Sequence, residues 1–169
     1  IPMVYVSHSF EEITHLADYL YVLENGRIKI EGPMLELSSS LELNAGEGEL
    51  AATVIECMVD KFDEQYGLTE LAFEGTTIFV NADNPIPGNT VRVRVPARDV
   101  SIVLNKPIDT SILNVLEVEV ISFSEYYGPS VLIKLRHKRQ FILARITRKS
   151  LDSLKLQTGQ MVYAQIKSV

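Results

Sequence analysis

The spacing of apolar residues changes twice along the chain and divides it into three stretches. At the start, Val4-Tyr5-Val6 is a short continuous apolar run of the kind a fully buried strand shows, ended by Ser7-His8-Ser9. Ser9 is a favourable N-cap, and Glu12 three residues later completes a capping box. Ile13, Leu16, Ala17 and Leu20 then recur at helical spacing. Tyr19 to Leu23 reads as a strand, Asn25-Gly26 as a two-residue hairpin turn, and Arg27 to Glu31 as the returning strand, stopped by Gly32-Pro33. Met34 to Leu43 fits one short helix. Ser38-Ser39-Ser40, with Asn44-Ala45-Gly46-Glu47-Gly48, has the composition of a linker and sets the first boundary, giving a unit over 1–46.

From Glu49 onward the pattern is strand and turn, and it occurs twice. Thr53-Val54-Ile55 leads through Gly67 to Thr77-Ile78-Phe79-Val80, then to the Gly88 turn and the alternating strand Val91 to Val95. Val118 to Ile121 leads through Gly128 to Phe141-Ile142-Leu143-Ala144, then to the Gly159 turn and the strand Met161 to Ile166. This order, repeated, predicts an internal duplication of a small antiparallel barrel of the oligonucleotide/oligosaccharide-binding (OB) type. The expected architecture is mainly β: tandem OB-like barrels over 47–104 and 105–169, preceded by a small α/β segment. The short strand edges of such barrels invite pairing with a second copy.

The bulk numbers narrow the partners. With 46% hydrophobic and 22% charged residues among 169, the composition is that of a folded protein. A net charge of −6 argues against nucleic acid, whose binders neutralise phosphates. A small-anion site is compatible with that charge, since a few aimed donors outweigh a weak overall field. Single Cys57 has no intrachain partner, which suits a reducing compartment. No apolar run approaches the ~18 residues of a membrane span, and no secretory leader is evident. Opening within a strand pattern and without Met, the chain reads as part of a longer protein.

The series Ser7-His8-Ser9-Phe10-Glu11-Glu12, Leu16-Ala17-Asp18, Val22-Leu23, Gly26-Arg27-Ile28 and Gly32-Pro33 resembles the switch-histidine region of ABC-transporter ATPases over about the first 33 residues. The resemblance implies that His8 reaches the γ-phosphate of ATP in a full-length parent, where an imidazole can donate to a phosphate oxygen. Taken alone, His8 reads first as a strand-end histidine with a local hydrogen bond; the surrounding series reverses that order. Ser9 departs from the Asp that many members carry after the histidine. The chain has no G-x-x-x-x-G-K-[ST] loop and no Mg²⁺-binding carboxylate at the end of an apolar strand, so by itself it is not expected to hydrolyse ATP. ATP and Mg²⁺ belong to the parent.

Thr110-Ser111-Ile112-Leu113-Asn114 is similar to the T-S-A-R-N signature of Mop-type molybdate-binding domains, and the resemblance continues through Ile146 to Leu151 and Ala164 to Ser168. With the upstream segment, it implies the C-terminal part of the ATP-binding subunit of a molybdate importer. Molybdate and tungstate are tetrahedral dianions without a proton, so they call for donors: hydroxyls, backbone N–H groups and a cation. The resemblance carries this role onto Ser111, Lys167 and Ser168 of one copy and Thr147 and Ser150 of another. It implies a homodimer, a membrane permease partner, and a cytoplasmic place on the inner face of the membrane.

Each of these residues also has a structural reading: Ser111 as a turn residue, Thr147 as the N-cap of the turn holding Ser150. Leu113 replaces the signature's arginine and removes a charge-assisted hydrogen bond worth roughly 1.5–3 kcal/mol. That departure keeps a second reading open, a dimerisation scaffold that binds no anion. Arg136-His137-Lys138-Arg139 reads as a solvated hairpin tip, Asp60, Asp63 and Glu64 as a charged loop rather than a metal site, Tyr126-Tyr127 as a turn, and Cys57 as core.

Overall fold

The computed structural model describes residues 3–45, 51–82, 85–125 and 128–167. Helix α1 (Phe10–Leu16) is followed by the hairpin β1 (Tyr19–Glu24) and β2 (Arg27–Pro33), then by α2 (Met34–Ser38) and α3 (Leu41–Ala45). Asn25 and Gly26 both take positive φ (50° and 75°), the requirement of the tight turn that joins β1 to β2. Ser9 caps α1 through Oγ, which accepts from Glu12 N at 3.3 Å. The reciprocal half of the capping box is not made. Glu12 accepts instead from Ser7 Oγ at 2.8 Å and Tyr5 Oη at 3.0 Å, and Ser9 N donates to Ser7 Oγ.

Two expectations for this region are corrected. Val4-Tyr5-Val6 is not a buried strand: its side chains are exposed, and no described strand pairs with it. An apolar run becomes a strand only beside a neighbour that satisfies its backbone. Met34 to Leu43 forms two helices rather than one, and Ser38 and Ser39 are fully buried rather than linker. Ser38 Oγ accepts from Val54 N at 3.0 Å, while Asn44 Oδ1 accepts from Ala52 N at 3.1 Å and its Nδ2 donates to Ser38 O and Ser40 O. These amides and hydroxyls satisfy the edge of the next strand, so polarity here serves docking. Leu20, Met34 and Val54 close the seam with an apolar cluster. Gly46 to Gly48 lie outside the described residues.

The β-region contains β3 (Ala52–Asp63), β4 (Leu68–Phe73), β5 (Thr76–Val80), β6 (Thr90–Pro96), the 3-10 turn Ala97–Asp99 and β7 (Val100–Val103). It continues with β8 (Asn114–Phe123), β9 (Ser130–His137), β10 (Gln140–Thr147), α4 (Arg148–Leu154) and β11 (Met161–Ile166). All pairings are antiparallel, in two curled sheets of order β5-β4-β3-β6 and β10-β9-β8-β11-β7. The architecture is mainly β and OB-like, as the alternation predicts.

The duplication holds to the level of single hydrogen bonds. The first strand of each half carries a bulge at the same place, after Val59 and after Val120. Val59 N donates to Asn89 O and Gly88 N to Val59 O; Val120 N donates to Gln160 O and Gly159 N to Val120 O. Gly88 and Gly159 have φ of 85° and 84°, where a side chain would strain the backbone.

The halves are related to each other by an approximate twofold. Thr53 and Asn114 are counterparts, as are Leu143 and Phe79. Thr53 Oγ1 accepts from Leu143 N at 2.9 Å. Asn114 Oδ1 accepts from Phe79 N at 2.7 Å, and its Nδ2 donates to Phe79 O at 2.9 Å. The counterparts Phe73 and His137 meet each other, stacked at 5.5 Å. An apolar core runs from Ile55 through Phe73, Val118 and Leu135 to Ile166, drawing on both sheets, with a smaller cluster of Ala51, Ala97, Leu132 and Leu143 besides. β7, placed by the sequence with the first barrel, pairs with β11 in the second sheet.

Candidate oxyanion site

The pairing of β8 with β11 sets Asn114 opposite Ile166 and so brings the segment before β8 to the segment after β11. Ser111 and Lys167 lie on these segments, and both are exposed. Two contacts fix the neighbourhood. Gln165 Nε2 donates to Thr110 Oγ1 at 3.1 Å, and Thr110 Oγ1 also accepts from Ile112 N at 3.1 Å, turning the chain at Ser111. Lys167 N donates to Asp99 O at 2.8 Å, which anchors the backbone of this exposed residue. Leu113, at the position of the signature's arginine, is 59% exposed and apolar. Ser168 lies outside the described residues.

Thr147 and Ser150 form the second pair. Thr147 is the N-cap of α4: its Oγ1 accepts from Ser150 N at 3.0 Å and lies 2.8 Å from Ser150 Oγ. The capping read from the sequence is therefore real, and it holds the two hydroxyls side by side. Thr147 pairs with Ser130 at the end of the β9–β10 ladder nearest the finish of β8, while Lys167 follows the start of β8. Among the described residues no hydrogen bond joins the two pairs within one chain.

The duplication supplies an internal comparison. The counterparts of Lys167 and Ser168 in the first half are Pro96 and Ala97, and that of Ser111 is Leu50. The first half carries no hydroxyl–ammonium set at this place.

His8 is exposed and directly precedes the cap of α1. Glu12 beside it has its carboxyl held below the usual range by the Ser7 and Tyr5 hydroxyls, and the Tyr5 phenol is raised in turn by Glu12.

The hairpin tip expected at Arg136 to Arg139 is exposed at Arg136, Lys138 and Arg139 but not at His137. His137 is buried at 7% exposure, with Nδ1 donating to Glu117 O at 2.8 Å, because it faces Phe73 across the two halves. Asp63 caps its own turn, Oδ1 accepting from Gln65 N and Tyr66 N. Cys57 is core, 3% exposed. Tyr126 and Tyr127 lie outside the described residues. Sequence reasoning missed Thr53 and Gln165, two polar residues that hold the molecule together. The even spacing of the two halves was the available signal, since it lines up Thr53 with Asn114.

Comparisons with known proteins bear on the chain's family and fold. The TOBE domain family matches residues 110–169. The molybdenum import ATP-binding protein ModC of Albidiferax ferrireducens is 41% identical over the whole chain, which covers 46% of it. The ModC proteins of Aromatoleum aromaticum and Pseudomonas aeruginosa are 42% and 41% identical, again over the whole chain, which covers 45% and 48% of them. The chain thus spans about half the length of these relatives. In structure it is similar to the cytoplasmic molybdate-binding protein ModG, solved with molybdate bound, at a TM-score of 0.60 and 19% identity, covering 69% of this chain and 90% of that one. That likeness concerns the fold. Full-length matches at about 40% identity, together with the TOBE domain at 110–169, place this chain in the family of molybdenum import ATP-binding proteins, where it corresponds to their C-terminal part.

Proposed function

We propose that the chain is the regulatory, oxyanion-binding region of the ATP-hydrolysing subunit of a molybdate importer. It takes molybdate or tungstate between two copies, with Ser111, Lys167 and Ser168 from one and Thr147 and Ser150 from the other, and so pairs the ATPase subunits. The reading is supported by two hydroxyls 2.8 Å apart at the start of α4, and by the pairing of β8 with β11, which brings the segments of Ser111 and Lys167 to one end of that ladder. A proton-free dianion suits such a set, because an ammonium only donates and a hydroxyl proton can turn toward an incoming acceptor. In the parent, His8 attends the nucleotide, ATP and Mg²⁺ are bound upstream, and a membrane permease holds the subunit at the inner face of the membrane. ModG's bound molybdate is a property of that protein and adds weight by analogy of fold alone.

Leu113 favours a second reading, in which the barrels pair the subunits and bind nothing. Thermal melting of the chain with molybdate, tungstate, sulfate or phosphate separates the two. A bound oxyanion at 100 times its Kd adds about 2.7 kcal/mol, a rise of roughly 5–10 °C for a chain of this size. Lys167→Ala is expected to weaken binding about tenfold or more while the unliganded midpoint holds. An unchanged midpoint with molybdate and tungstate, in a chain that sediments as a dimer, would establish the scaffold.

A further inference from the structure

Arg92 lies in β6 directly opposite Glu56 in β3. Residues so placed have Cβ atoms about 4.5–5.5 Å apart, and opposite charges there ordinarily pair. In the second half the counterparts do engage each other: Tyr163 Oη donates to Glu117 Oε1 at 3.3 Å across the same rung. In the first half the guanidinium turns away from its rung. Nη1 donates to Ala17 O at 2.9 Å and Nη2 to Asp18 Oδ1 at 2.5 Å. Ala17 is the C-cap of α1, the helix that follows His8, and Asp18 O accepts from Met34 N.

We propose that Arg92 is a two-position clasp, shared between the end of α1 and Glu56, that seats or releases the His8 segment on the β-region. Nη1 and Nη2 are both engaged by Ala17 and Asp18, so turning that edge of the fork onto Glu56 releases the end of α1. Both alternatives are exposed ion pairs, the Arg92 and Asp18 side chains being 30% and 89% exposed. Pairs of that kind are weak and therefore close in energy, which is the condition for a bistable contact. β6 passes through the 3-10 turn to Asp99, whose carbonyl receives Lys167 N. The clasp thus stands on the segment that also anchors Lys167. It follows from contacts in one chain and is independent of the oxyanion reading.

Hydrogen exchange of the α1 amides in the intact chain tests it without added ligand. Asp18→Asn is expected to speed exchange about two- to fivefold, the range open to an exposed pair, because Arg92 moves to Glu56. Adding Glu56→Gln in that background is expected to recover part of the protection, since Arg92 returns to Ala17 O. Both changes are isosteric and exposed, so the fold persists. Unchanged α1 exchange in Asp18→Asn, or no recovery on adding Glu56→Gln, overturns the clasp.

Discussion

Burial pushes the Cys57 thiol up to about 12 from its ordinary 9.0, with the neighbouring Glu56 charge adding to the effect. Between those values the unfolded chain gives up a proton that the folded chain keeps, so fewer protons are bound unfolded and stability falls as pH rises. Below 9.0 both states hold the proton and the thiol contributes no pH dependence. The duplication names the substitution that tests this, because the counterpart of Cys57 is Val118. Cys57→Val is expected to change stability at pH 7 by less than about 1.5 kcal/mol. Urea unfolding from pH 7 to 10.5 should show a shallower alkaline loss in the variant; equal slopes would refute the shifted thiol. Cys57 was legible as core from its apolar neighbours. His137 was not, because its burial depends on Phe73, 64 positions earlier, and no local pattern reports a partner that remote.

At the scale of elements, strands were the most legible feature. Alternation reports a face, and a face needs only the local chain. Polar residues that dock one element on another were harder. Ser38 and Asn44 have linker composition, yet they complete the edge of β3. Asn114 illustrates the same economy, its amide standing in for a strand by giving and taking one bond with Phe79. Asn114→Ala leaves both Phe79 groups without that partner and is expected to cost about 2–6 kcal/mol, at about 1–3 for each group stranded. Thr53→Ala strands a single N–H and should cost about half as much. Chemical denaturation of the two variants checks the ratio; equal and negligible costs would mean the halves are held by apolar packing alone.

For the whole molecule, the repeated strand order was visible in the sequence, and it gave the tandem barrels. The relation between them was not, since a repeat says nothing of how its copies face each other. β7 shows the consequence: it follows the first barrel in the chain and completes the second sheet. A fragment of 105–169 lacks β7 and the Phe79 edge that receives Asn114. It is expected to melt without a cooperative transition, whereas the intact chain unfolds its shared core in one step. Circular dichroism and calorimetry decide this, and a sharply melting fragment would show that the barrels are autonomous. The proposed oxyanion site was legible as residue types, and of its donors Thr147 and Ser150 stand side by side in one chain. The proposal joins them to Ser111 and Lys167 only through a second copy, which one sequence does not display.

The hairpin tips Glu74-Gly75 and Lys138-Arg139 occupy matching places, and they meet: Lys138 Nζ donates to Glu74 O, and Arg139 lies 3.7 Å from the Glu74 carboxylate. Two identical chains arranged this way would have to face like with like, acid to acid or base to base. Joining the copies in one polypeptide lifts that constraint. An attraction that symmetry forbids becomes available, along with Phe73 against His137 where a symmetric pair would repeat one ring. Once such unlike contacts have accumulated, neither half can be replaced by a duplicate of the other.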